Sequence, residues 1–271
     1  MYNTQFSNIP PVVKNLIIIN VIMLLATWVL SSSFGVELTQ LFGLHYFKSD
    51  LFQPYQFVTH MFMHGGLWHL FFNMFALWMF GRVLESVWGS KRFFIYFMVT
   101  GLGAAALHTF VIHLQMTSIL NDIKAFNNTP SPEALAILVK DHFPEYYSQV
   151  YSKLLDGWYS NPDNSNYIER AQQFLKELVN FRMNIPTVGA SGAVFGVLLA
   201  FGMLFPNTQL MLLFPPIPIK AKYFVIFYGG LELWLGLTQP GSNIAHFAHL
   251  GGMLFGFILI KYWKKGRSNF Y

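Results

Sequence analysis

Cysteine is absent from the chain, and only 11% of its residues are charged. The first absence excludes disulfide scaffolds, thiolate nucleophiles and cysteine-ligated zinc. The second puts the charge content below half the usual soluble level of about 25%. No small-residue cleavage pattern follows the first apolar stretch, which therefore reads as an uncleaved span. No internal repeat or low-complexity tract is evident. The net charge of +5 is not gathered on one soluble patch. Its Lys and Arg residues flank apolar segments instead, so no nucleic-acid partner is expected.

What is present is apolar: 54% hydrophobic residues, 18% of the total aromatic. Six runs approach the roughly 20 residues that cross a bilayer as a helix. They are 13–30, 60–80, 93–114, 188–205, 223–237 and 244–263. The fourth and fifth are short, as suits helices that line a cavity. Lys14, then Arg82, Lys91 and Arg92, then Lys220 and Lys222, then Lys261, Lys264, Lys265 and Arg267 fall on one side. The other side has Lys48 in the first loop and no basic residue in 238–243. By the positive-inside rule both termini are cytoplasmic. Trp28, Trp88, Trp234 and Trp263 lie toward span ends, where interfacial anchors belong.

The polar stretch 115–182 breaks this pattern. Ser131-Pro-Glu is a helix start signal, and helical apolar spacing continues to Phe143. Amphipathic spacing recurs over 146–155 and 167–181, with Asn161-Pro-Asp-Asn-Ser as the loop between them. The expected architecture is all-α: one membrane domain over 1–271 with six transmembrane helices. A helical, extracytoplasmic insert at 116–183 separates helices three and four.

Three strings carry candidate chemistry. Gly189-Ala-Ser191-Gly192 opens the fourth span. There a helix N-terminus offers unpaired N–H groups to an oxyanion. The same small residues also suit helix packing, with Gly192 and Gly196 forming G-x-x-x-G. Ala245-His246-Phe-Ala-His249-Leu-Gly-Gly252 opens the sixth span, and Gly256 follows. An intramembrane histidine invites a functional reading. We expect His246 to take the Ser191 proton and His249 to be hydrogen-bonded within the bundle. His69 and Asn73 share one face of the second span, either as oxyanion donors or as interhelical glue. His60 and His64 have metal-ligand spacing, but the H-E-x-x-H zinc pattern is missing. They read as structural, and neither a metal nor another cofactor is expected.

H-x-x-x-N, G-x-S-G and A-H-x-x-H-x-x-G-x-x-x-G occur in that order on spans two, four and six. This combination resembles the rhomboid family of intramembrane serine proteases over nearly the whole chain outside the insert. The resemblance implies a Ser191–His246 dyad that hydrolyses peptide bonds in or near transmembrane segments through an acyl-enzyme. His69, Asn73 and the Ser191 backbone N–H would form the oxyanion hole. Gly189, Gly192, Gly252 and Gly256 would hold helices close, and Glu85 would match a structural acid after the second span. Phe195 stands where many relatives have Tyr, and Pro54-Tyr-Gln-Phe57 where many have Trp-Arg. Glu232 in the fifth span is either a third catalytic member or a structural, hydrogen-bonded acid. The implied partners are transmembrane protein substrates and the lipid bilayer. The implied location is a bacterial inner membrane. A non-proteolytic relative that binds membrane clients is the alternative within the fold. A proton-coupled transporter using Glu232 and the histidines is the alternative outside it.

Overall fold

The computed structural model describes residues 9–211, 216–238 and 245–265. The predicted start of the sixth span at 244, the loop at 239–243 and Arg267 lie outside the described residues. The chain divides into two compact units. The first comprises residues 1–45, 51–109 and 186–271, and the second 46–50 and 110–185.

The longer helices, in chain order, are α1 (Pro11–Phe34), α2 (Leu67–Trp88), α3 (Ser90–Asn128), α4 (Pro132–His142), α5 (Asn166–Met183), α6 (Ser191–Leu204), α7 (Ala221–Thr238) and α8 (His246–Lys265). A helix lies in each of the six predicted apolar segments. By length and apolarity α1, α2 and α3 are able to cross a membrane, whereas α6 is apolar but has 14 residues. An antiparallel strand pair, Gln209–Met211 with Pro218–Lys220, departs from the all-helical expectation.

In the first unit, α1 begins with Pro11, whose missing N–H loses no helical bond there, and ends at Gly35 in the left-handed region. Its next two amides need acceptors. Glu85 of α2 supplies them: its two carboxylate oxygens accept from Val12 N–H (3.0 Å) and Val13 N–H (2.8 Å). A buried carboxylate thus meets the positive end of a helix. Ser90 Oγ donates to the same group at 2.7 Å.

The second segment is not one helix from residue 60. Short helical turns cover Gln56–Thr59 and His60–Phe62, and α2 starts only at Leu67. Gly65 and Gly66 break the run, with Gly66 at φ 156°. His60 and His64 therefore lie on a separate turn and loop. The His60 carbonyl accepts from Gly189 N–H at 2.9 Å, which ties that turn to the entry of α6.

The core of this unit is organised around α6, where Gly192, Ala193, Gly196, Val197 and Ala200 are among the many buried positions. Backbone meets backbone at Gly192 and Gly252. A Cβ on Gly252 would collide with the Gly192 carbonyl, and one on Gly192 with Ala104. Gly256 faces the Tyr96 hydroxyl, which donates to the Gly196 carbonyl at 2.8 Å. Small residues permit this approach, and close approach is what holds helices together when the outside is as apolar as the inside.

Residues 116–183, expected as an insert, fall within the second unit together with the C-terminal part of α3, which runs past its predicted end at 114. Ser131 caps α4, accepting from Ala134 N–H at 3.1 Å. Its core gathers Leu135, Val139, Phe143, Leu155, Trp158 and Leu175.

Candidate active site

Ser191 is the first residue of α6, and its approach is fixed by Gly189 at φ +125°, a conformation that L side chains rarely adopt. A Cβ on Gly189 would also stand 2.8 Å from His69 Cε1 and 2.9 Å from His69 Nε2. Glycine is thus needed twice, for the turn and for the imidazole packed against it.

The Ser191 hydroxyl is bonded to His249, with Nε2 to Oγ at 2.9 Å. This corrects the expectation that His246 reaches the serine; His249, expected to be hydrogen-bonded within the bundle, is the histidine that does. The reason is register. Gly192 packs against the Ala248 carbonyl and Gly252, so the residue of α8 level with Ser191 is His249. His246 is nearly a turn earlier on α8 and bonds elsewhere: its Nδ1 is 2.7 Å from Glu232 Oε2. His249 Nδ1 is 2.9 Å from the same oxygen. All three side chains are nearly enclosed by protein.

Phe195, one turn below Ser191, stacks on the His249 ring with centroids 4.1 Å apart and planes 5° from parallel. Tyr228 of α7 lies against the other side of the stack, 5.4 Å from Phe195. The phenyl ring thus fixes the plane of the imidazole without supplying a hydroxyl.

His69 Nδ1 accepts from Gly65 N–H at 3.4 Å, which leaves the proton of a neutral ring on Nε2, the nitrogen facing Gly189. Asn73 uses one amide hydrogen on the His69 carbonyl, 3.0 Å away. Among the described residues its other amide hydrogen is not used. Beside Ser191 lies a void of about 10 Å³ bordered by His60, Gly189, Gly192, Ala245 and Ala248. That is room for about one water molecule.

Glu232, His246 and His249 also form a carboxylate–imidazole set whose ligand atoms lie within 4.8 Å of one another. Hydrogen bonding already accounts for the convergence, since one oxygen serves both Nδ1 atoms.

The Rhomboid domain model matches residues 51–120 and 165–265, more than half of the chain. The chain belongs to the rhomboid family. Curated relatives include the yeast Saccharomyces cerevisiae "Rhomboid protein 1, mitochondrial", 25% identical over 214 residues that make up 77% of this chain and 42% of the relative. Another is the Arabidopsis thaliana "RHOMBOID-like protein 12, mitochondrial", 25% identical over 228 residues, 84% of this chain and 51% of the relative. This rhomboid chain thus spans about half the length of the curated relatives it matches. Both relatives carry mitochondrial names, so the expected bacterial inner membrane gains no support from them. The stretch 121–164, between the two matched blocks, falls within the expected insert.

Once the contact of Gly192 with Gly252 is known, spacing tells the two histidines apart. His249 lies three residues before Gly252, the position that meets Gly192, and Ser191 is next to Gly192. The glycine pair, used as a ruler, selects His249.

Proposed function

We propose that this rhomboid is an intramembrane serine endopeptidase with Ser191 as nucleophile and His249 as general base. The hydrogen bond between Ser191 Oγ and His249 Nε2 at the N-terminus of α6 carries this reading. His249 Nε2 takes the hydroxyl proton as Oγ attacks the scissile carbonyl. The tetrahedral oxyanion forms beside the Ser191 N–H at the positive end of α6, with His69 Nε2–H and the second Asn73 amide hydrogen as further donors. The imidazolium passes its proton to the departing amine, and the C–N bond breaks to leave a seryl ester. Water, deprotonated by His249, releases the acid and restores the serine. A peptide bond held in a helix is shielded from attack, so substrates should unwind locally at small or helix-breaking residues.

The same reading has six crossings, α1, α2, α3, α6, α7 and α8, with both termini on the basic side. The insert then projects on the opposite, extracytoplasmic side. The short α6 would begin below the surface, with Ser191 reached through a polar cavity.

The test is cleavage of a single-span model substrate by the purified protein in detergent. Ser191→Ala and His249→Ala should each lower the rate by at least about a thousandfold while the fold is retained. A fluorophosphonate should label the wild type and not Ser191→Ala. A folded wild-type protein that neither cleaves nor takes the probe would favour client binding without proteolysis. pH-driven flux surviving Ser191→Ala would favour a transporter.

A further inference from the structure

We infer that Glu232 is the positioning residue of this site, extending the Ser191–His249 pair to a carboxylate-backed triad with His246 as a second clamp on that carboxylate. The inference rests on the proteolytic reading above. One carboxylate oxygen, Oε2, lies 2.9 Å from His249 Nδ1 and 2.7 Å from His246 Nδ1. An ionised carboxylate only accepts, so both Nδ1 atoms donate to it. His249 must then carry its neutral-state proton on Nδ1, which turns the lone pair of Nε2 toward Ser191 Oγ, 2.9 Å away. Without the carboxylate the ring is free to hold the opposite tautomer, which cannot accept the serine proton.

The burial of Glu232 points the same way. Its exposure is 7%, and among the described residues its side chain bonds two histidines. A buried carboxylate is costly unless it is paired, and a neutral imidazole is only a partial partner. The full partner appears when His249 becomes imidazolium, during the reaction. The interaction is therefore stronger in the transition state than in the resting state, as catalysis requires.

His246 supports this arrangement from the first turn of α8, three residues before His249 and on the same face. Gly236, one turn after Glu232 on α7, makes room for it: a Cβ there would meet His246 Cβ at 3.2 Å. With two donors on one oxygen, the carboxylate has little freedom to rotate away from His249. Among the described residues His246 Nε2 is buried and has no hydrogen-bond partner. Among those residues the ring is anchored by hydrogen bonding through Nδ1. Among the described residues His69 and His108 are further titratable groups within electrostatic range of His249, and Tyr228 of α7 is within range of Glu232.

The experiment measures the rate of fluorophosphonate labelling of Ser191 from pH 5 to 9. It compares the full-length wild type, Glu232→Gln, Glu232→Asp, His246→Asn and Ser191→Ala in detergent. Glu232→Gln should slow labelling at neutral pH by about a hundredfold or more; an Asp→Asn change in a soluble triad costs about ten-thousandfold. The acid limb of its profile should move to lower pH, because removing the negative partner disfavours the imidazolium. Glu232→Asp should recover part of the rate, and His246→Asn should lose about tenfold. A merely structural acid would lower the melting temperature without moving the acid limb. Wild-type rate and an unmoved limb in folded Glu232→Gln would overturn the triad and leave proteolysis standing. Labelling that survives Ser191→Ala, or is missing from the wild type, would instead overturn the proteolytic reading. Nitrogen-15 shifts of His249 in the wild type keep the triad testable if the variants do not fold. The Nδ1–H tautomer at neutral pH supports the triad, and the Nε2–H tautomer overturns it.

Discussion

The two units of this chain reach a packed interior by opposite routes. In the second unit, α5 buries Ala171, Leu175, Leu178 and Val179, one stripe of an amphipathic helix, and exposes charged residues such as Glu169 and Lys176. In the first unit, α1 buries Asn20 and Thr27 along with Val13, Leu16 and Leu24, while Ile18, Ile22, Leu25 and Val29 are exposed. The helix is apolar all round, so hydrophobicity does not choose its inner face. Small and polar residues mark it instead. Asn20 is buried and donates to the Leu16 carbonyl of its own helix at 2.7 Å, and Gly192 touches Gly252. The difference is that between a helix with one apolar stripe and a helix apolar on every side.

Substitutions should separate the two logics. The largest effect is expected from Gly252→Leu. Its side chain has no space beside the Gly192 backbone, so helices α6 and α8 cannot stay in register. Loss of the folded membrane unit and of all fluorophosphonate labelling should follow, read by size-exclusion chromatography and gel fluorescence. Trp158→Ala in the second unit should cost about 3–5 kcal/mol through the cavity it leaves. Trp158 is 2% exposed, edge-on to Phe126 and stacked on Tyr167. Limited proteolysis should then cut within 110–185 while Ser191 still labels, and a protected insert would contradict the side-chain-packed picture.

Glu85→Ala should cost about 1–3 kcal/mol, because it strips the buried Val13 amide and the partly buried Val12 amide of their acceptor. The fall in melting temperature measures this, and an unchanged value would show that water replaces the carboxylate. Smallest is Ser131→Ala, which removes the cap of α4 for about 1 kcal/mol. It should register as faster amide exchange in the first turn of α4.

The unit built like a water-soluble protein was the more legible at the level of faces. The Ser131 start signal, the α4 and α5 stripes and the loop at Asn161 all follow from local rules. The membrane unit was legible at the level of segments: six apolar runs, each containing a helix. The break at Gly65-Gly66 shows the limit, because a glycine pair inside an apolar run does not announce whether it bends the helix or packs it.

Composition and patterning by themselves determined that this is a helical membrane protein. The order of three short strings pointed to the rhomboid family, and Ser191 to the start of a helix. Only the tertiary structure decided which histidine meets that serine. His246 and His249 differ by three positions, less than one helical turn, and both face inward, so periodicity cannot separate them. The contact of Gly192 with Gly252 sets the register of α6 against α8, and that register puts His249 at Ser191 and His246 at Glu232. An interhelical register depends on surfaces far apart in the chain, and no local pattern encodes it.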